Sequence, residues 1–245
     1  MSAIEGRNAV LEALRAGMPL RRVTIAEGTK PDRTLDEIAR RAGEAGVKVL
    51  RAPKRDLDTR SERGAHQGVI AEAAPYPYAS LDDVLARAKG KKHSLIIALD
   101  HITDPGNLGA IVRTAEVVGA DGVLVANRRA AAVTPAAYKS SAGALAHVSL
   151  AQEANIVRSL ERCKEEGYWI AGASEHATQV VWEAPLEGRV VLVMGSEGEG
   201  LARLTRETCD FLVRLPQAGK VGSLNVAQAA TAIAYEWLRR ATAEV

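Results

Sequence analysis

The sequence predicts an α/β protein in two parts, a small amino-terminal α/β unit and a larger unit built on a mainly parallel sheet covered by helices. Three observations carry this. Short apolar runs alternate with segments of helical period along the whole chain. The stretch A-P-Y-P-Y-A at 74–79 places two prolines where neither helix nor sheet continues, marking an interdomain linker. Two apolar runs, Val190 to Met194 and Phe211 to Val213, each lead into a Gly-rich turn and then a helical pattern, the signature of parallel β–α units.

In the amino-terminal part, Glu5 to Ala16 reads as a helix stopped by Gly17, and Arg21 to Ala26 alternates as a strand with Val23 and Ile25 on one side. Leu35 to Ala45 is helical up to Gly46, Val47 to Arg51 is a strand, and Gly68 to Ala73 closes the unit. The division expected is 1–74 for this domain, 75–93 for linker and leading helix, and 94–245 for the larger domain. Ser80 and Asp83 form a capping box that starts the leading helix. Strands follow near 94–99, 121–126, 147–150, 168–173, 190–194 and 211–215, with helices near 107–118, 135–145, 153–166, 201–208 and 224–240.

Composition bounds the function. With 47% hydrophobic and 25% charged residues in 245, the chain is an ordinary globular protein. Its apolar runs are too short to span a bilayer, and the first ten residues hold charges instead of a secretory apolar core. A cytoplasmic protein with no membrane partner is expected. Cys163 and Cys209 match no metal spacing and read as reduced, incidental thiols, so no metal is expected. Residues 1–75 carry 14 Lys or Arg against 11 Asp or Glu, the remainder 18 against 19. Arg51, Lys54, Arg55, Arg60 and Arg63 form a basic cluster that reads either as a solvated face or as one edge of a nucleic-acid surface. Aromatic residues make up only 4%, so RNA contacts would rely on phosphates, 2′-hydroxyls and shape more than on base stacking.

Three segments concentrate glycine and small polar residues. L-D-H-I-T-D-P-G-N-L-G-A-I-V-R-T-A-E (99–116) runs from a strand through a turn into a helix carrying Ile111, Val112, Ala115 and Val118 on one face. Asn107 and Arg113, six residues apart, point to different sides of that helix and flank one site only if the loop folds over or two chains contribute. M-G-S-E-G-E-G-L (194–201) spaces its glycines G-x-x-G-x-G, unlike a dinucleotide fingerprint, and Glu197 and Glu199 would repel a pyrophosphate. They suit a ligand with positive charge. L-P-Q-A-G-K-V-G-S-L-N-V (215–226) places a proline, two glycines and Ser-Leu-Asn before an Ala-rich helix.

N-L-G-A-I-V-R-T-A, V-M-G-S-E-G-E-G-L and L-P-Q-A-G-K-V-G-S-L-N-V resemble, in order, the three motifs of the SpoU branch of SPOUT RNA 2′-O-methyltransferases. I-E-G-R-N-A-V-L-E-A-L and H-Q-G-V resemble the amino-terminal substrate-binding domain of the rRNA-type members, so the likeness covers most of the chain. Gln217 and Ala227 depart from a commonly seen Met and Ser. The resemblance implies a SPOUT domain with a deep trefoil knot, S-adenosylmethionine as methyl donor, and methylation of a ribose 2′-hydroxyl, at a guanosine of 23S rRNA in the members most like this chain. A tRNA ribose methyltransferase and a non-catalytic RNA-binding or ribosome-assembly module on the same fold are the alternatives. It further implies a homodimer, cofactor contacts at Gly195, Leu215 and Leu224, and a catalytic role for Arg113. A guanidinium stays protonated near neutrality, so positioning the ribose and its phosphate and stabilising the developing alkoxide suit Arg113 better than general-base work. Asn107 would orient the site, Glu197 would orient Arg113 or a loop amide, and Ser223 with Asn225 would hydrogen-bond near the cofactor or target. Ser223 reads equally as a helix cap. His101, beside a turn, reads as structural. The Ala227, Ala230, Ala234 and Leu238 face of the last helix fits either a partner chain or its own sheet.

Overall fold

The computed structural model describes residues 3–30, 32–61, 64–220 and 222–243, so Arg63 of the basic cluster and Val221 of the third motif lie outside the described residues. The chain divides into two compact units, Met1–Pro77 with Thr134–Gly143, and Tyr78–Val133 with Ala144–Val245. Among the described residues no helix is long and apolar enough to cross a membrane.

The first unit is a four-stranded mixed sheet in the order β1 (Ala3–Glu5), β4 (Val69–Ala73), β2 (Leu20–Ala26), β3 (Lys48–Ala52). The β2–β3 pair is parallel, while β4 runs antiparallel to both β1 and β2. Helices α1 (Arg7–Arg15) and α2 (Arg33–Glu44) bury Val10, Ala13, Leu35 and Ile38 with Val23, Val69 and Ala71 in one core. Asp32 caps α2 by accepting from the Leu35 amide at 2.8 Å. Two elements carry no clear sequence signal: β1, with only three residues, and α3 (Lys54–Arg60), whose one buried side chain is Leu57. The helix α3 splits the basic cluster, because Arg60 pairs with Glu72 whereas Arg55 points to solvent.

The second unit holds six strands, all paired in parallel, in the order β10 (Phe211–Val213), β8 (Trp169–Ala173), β9 (Arg189–Met194), β5 (Ser94–Leu99), β6 (Gly122–Ala126), β7 (Leu150–Glu153). Central strand β5 is buried at all six positions, as a strand covered on both faces must be. Its Ile96 and Ala98 pack with Val84 of α4 (Leu81–Arg87) and Leu160 of α7 (Ile156–Glu165). The capping box is present: Asp83 N–H donates to Ser80 Oγ at 3.2 Å and Ser80 N–H to Asp83 at 2.8 Å. Ala79 joins this unit by a parallel bridge to Ala151. Strand β7 begins three residues later than expected. Ala142 (φ 48°) and Gly143 (φ 94°) end α6 (Pro135–Ser141), and a short 3₁₀ turn, Ala144–Ala146, takes up the intervening chain. Helix α6 itself belongs to the first unit.

The sheet places β9 between β5 and β8, so the strand order reverses beside β5. In open parallel sheets a ligand crevice forms at such a reversal, beyond the carboxyl ends of the strands. Helix α5 (Pro105–Val117) follows β5, and α9 (Val226–Ala243) packs on it, joined by a 2.7 Å hydrogen bond between Thr114 and Thr231. Ala227, Ala230 and Ala234 are buried within their own chain, while Leu238 is only partly covered.

Candidate active site

A cavity of about 400 Å³ opens just past the ends of three neighbouring strands. Ala173 and Ser174 line it after β8, Met194 and Gly195 after β9, and Val213 and Arg214 after β10. The volume falls in the range of small-molecule sites, about 300–1,000 Å³. Leu215, Leu224 and Ile233 supply apolar wall.

Gly195 is required by crowding. A Cβ there would stand 2.2 Å from the Gly200 carbonyl carbon and 2.5 Å from the Leu201 nitrogen, both main-chain atoms. The loop closes on itself because Ser196 and Gly200 exchange two backbone hydrogen bonds of 3.0 Å, and Gly200 takes the left-handed conformation (φ 66°) that favours glycine. Buried Asp100, at the end of β5, braces the far side by accepting from the Ala202 amide at 2.7 Å, just ahead of α8 (Arg203–Thr208). His101 hydrogen-bonds Asp100 at 2.6 Å from a left-handed backbone position (φ 61°) and does not line the cavity.

The three motifs meet in one polar triangle. Asn107 Nδ2 donates to Glu197 Oε1 at 2.9 Å, Asn225 Nδ2 donates to the same oxygen at 2.8 Å, and Asn225 also donates to Asn107 Oδ1 at 2.9 Å. Asp104 positions Asn107 by accepting from its amide at 2.8 Å at the start of α5, where Pro105 fills the first helical position. Asn225 Oδ1 accepts from Ala227 N–H at 3.0 Å and so caps α9. The capping atom before α9 therefore comes from Asn225, two residues after Ser223.

Six of the residues singled out in the sequence line the cavity: Gly195, Glu197, Leu215, Ser223, Leu224 and Asn225. Asn107 stands behind them, bonded to two wall residues. Arg113 is exposed, has no hydrogen bond or ion pair among the described residues, and is not in the cavity wall. The carboxylate of Glu197 thus holds the two asparagine amides, not Arg113. Residues that sequence reasoning missed are Glu175 and His176 after β8, Arg206 on α8, and Arg214 after β10. Position beyond a strand end marks Glu175, His176 and Arg214, and nothing in the sequence marks Arg206, since no motif covers any of the four. Burial pushes the thiols of Cys163 and Cys209 up to about 12, which leaves both without nucleophilic thiolate at neutral pH.

The sequence profile of the SpoU rRNA methylase family matches residues 94–235, and that of the RNA 2′-O ribose methyltransferase substrate-binding domain matches residues 3–79. An uncharacterised tRNA/rRNA methyltransferase of Mycolicibacterium vanbaalenii is 42% identical over 236 residues, 96% of this chain and 75% of the relative. Among solved structures, the SpoU methyltransferase AviRb from Streptomyces viridochromogenes, in complex with the cofactor AdoMet, is 28% identical. It superposes with a TM-score of 0.62 over 97% of this chain and 89% of its own. An RNA methyltransferase of the TrmH family from Porphyromonas gingivalis is 27% identical, with a TM-score of 0.61 over 98% of this chain and 90% of its own. This chain belongs to the SpoU rRNA methylase family.

Proposed function

We propose that this protein transfers the methyl group of S-adenosylmethionine to a ribose 2′-hydroxyl of RNA, and that the target is a guanosine of 23S rRNA. The observation that carries the reading is the cavity in which the second and third motifs meet beyond β8, β9 and β10, with Glu197 and Asn225 on its wall and Asn107 bonded to both from behind. Its residues fit the cofactor. Leu215 and Leu224 supply apolar surface for an adenine ring beside the main chain of Gly195, and Glu175, Glu197 and Glu199 supply negative charge for a sulfonium. Bound there, the cofactor supplies an electrophilic methyl group. Glu197 fixes both asparagine amides, Asn225 fixes the start of α9, and the cavity walls aim the donor. Arg113 is proposed to position the ribose and its phosphate and to stabilise the alkoxide.

Arg113 lies outside its own chain's cavity wall, which supports a homodimer in which each chain's Arg113 completes the partner's site. The trefoil knot belongs to the same proposal, and the insertion of β9 between β5 and β8 supports it. The resemblance of the amino-terminal segments I-E-G-R-N-A-V-L-E-A-L and H-Q-G-V to the rRNA-type members supports large-subunit rRNA over tRNA as substrate. A tRNA ribose target is the second reading, because the name of the relatives, tRNA/rRNA methyltransferase, covers tRNA as well as rRNA. Assays of the purified protein with labelled S-adenosylmethionine on undermethylated 23S rRNA and on bulk tRNA test this. Label at one guanosine ribose of 23S rRNA is expected, and label in tRNA alone overturns the rRNA assignment.

A further inference from the structure

Arg206 and Arg214 place two guanidiniums in the wall of the cavity beyond β8, β9 and β10. Neither side chain has a hydrogen bond or ion pair among the described residues. Arg206, on α8, is exposed, whereas Arg214 is half-buried. A guanidinium drawn partly out of water with no counter-charge in its own chain is disfavoured, so a ligand is the place to look for its partner. The backbone beneath Arg214 is clamped on both sides. Its N–H donates to Gln179 O at 3.0 Å, and its carbonyl oxygen accepts from Val181 N–H at 3.0 Å.

The other charged groups of the wall are the carboxylates of Glu175, Glu197 and Glu199 and the imidazole of His176, which lies 3.6 Å from Glu175. Three carboxylates against two guanidiniums leave one negative charge in excess while His176 is neutral. S-adenosylmethionine carries the complement, a sulfonium and an ammonium against a single carboxylate. The acids of the wall suit its two cationic groups. Its one anionic group meets charged donors only at Arg206 and Arg214. A guanidinium offers a carboxylate two parallel N–H donors, and such charge-assisted pairs are stronger than neutral hydrogen bonds.

We infer that Arg214, together with Arg206, donates hydrogen bonds to the α-carboxylate of S-adenosylmethionine and so selects a cofactor with an intact amino-acid end. The inference rests on S-adenosylmethionine being the ligand of this cavity, as proposed above. It adds two side-chain contacts to those proposed at Gly195, Leu215 and Leu224.

The test is calorimetric titration of the full-length protein, without RNA, with S-adenosylmethionine and with its decarboxylated form. The second ligand keeps the sulfonium and the amine and lacks only the carboxylate. The wild type is expected to bind it about 10- to 100-fold more weakly, the scale of hydrogen bonds to a charged group. Arg214→Ala should lose affinity for S-adenosylmethionine alone, so that its affinities for the two ligands converge. Arg206→Ala should narrow the gap in the same sense, and Arg214→Lys should restore only part of it. Arg203→Ala removes a guanidinium from the same helix as Arg206 but outside the cavity wall, where it pairs with Glu207 at 2.8 Å. It should keep the wild-type affinity for both ligands. The comparison of the two ligands on the wild type needs no variant, so it stands even if Arg214→Ala does not fold. Equal binding of both ligands by the wild type overturns the inference and leaves the functional reading intact. A wild-type gap retained in Arg214→Ala also overturns it, and a fall in RNA affinity in that variant would then assign the guanidinium to a phosphate. Failure of the wild type to bind S-adenosylmethionine overturns the functional reading and the inference with it.

Discussion

Asn107 and Asn225, 118 positions apart in the chain, share a 2.9 Å hydrogen bond and both donate to Glu197. One carboxylate oxygen thereby joins the start of α5, the loop after β9 and the start of α9. Hydrogen bonds to an ionised acceptor are worth more than neutral ones, but Glu197 and Asn225 are exposed and Asn107 only half-buried, so the triangle matters more for geometry than for stability.

Gly195→Ala is expected to disrupt the cavity. The added methyl collides with the main chain of Gly200 and Leu201, which cannot move aside as a flexible side chain would. A destabilisation of about 1–3 kcal/mol is the usual scale for such overpacking. Gly198→Ala, where a Cβ meets nothing within 4 Å, should leave both thermal stability and cofactor affinity unchanged. Calorimetric titration of the two variants with S-adenosylmethionine checks the contrast.

Arg113→Ala should keep cofactor affinity while the single-turnover rate falls by about 100-fold, the scale for losing a transition-state charge contact. Arg113→Lys should restore little, because an ammonium lacks the two-pronged geometry. Mixed dimers of Arg113→Ala and Gly195→Ala chains separate the two arrangements. If Arg113 serves the partner's cavity, the mixture regains activity that neither variant has; if it serves its own, it regains none.

Stability should fall in acid in a way traceable to one residue. Hydrogen bonds from Arg239 and then Arg240 hold the buried Glu236 carboxyl down to about 2, against an ordinary 4.5. A carboxyl whose folded value is depressed stabilises the fold fully above its unfolded value. Its contribution is lost as pH falls from about 4.5 through about 2. Glu236→Gln should flatten the dependence of the urea midpoint on pH over that window. An unchanged acid limb would assign the loss to other carboxylates.

Much of this was legible in the sequence because strand–turn–helix punctuation is local. The runs that became β5, β9 and β10, and the box at Ser80 and Asp83, carry their own signals. What was not legible depends on distant contacts. Gly195 reads as a place for ligand approach, whereas crowding by Gly200 and Leu201 is what requires it. Ser223 reads either as a site residue or as a helix cap, and the cap is supplied by Asn225, whose amide nitrogen is anchored on Glu197. Glu175 and His176 carry no motif, and only the adjacency of β8 to β9 and β10 brings them to the cavity. The role proposed for Arg113 comes from its motif alone, since nothing among the described residues of the chain engages it. Helix α3 went unread because seven residues with one buried side chain have too little periodicity to register.

The central claim is that the methyl acceptor is a ribose hydroxyl, and a substrate lacking that hydroxyl tests it most directly. Once the modified nucleotide is mapped, an RNA carrying 2′-deoxyribose at that position alone should accept no methyl group, while the all-ribose control is methylated fully. The cavity offers no thiolate for attack on a base carbon, since the thiols of both Cys163 and Cys209 are raised to about 12 by burial. A methyl group found by mass spectrometry on the base of the deoxy substrate, formed at the control rate, would contradict the account.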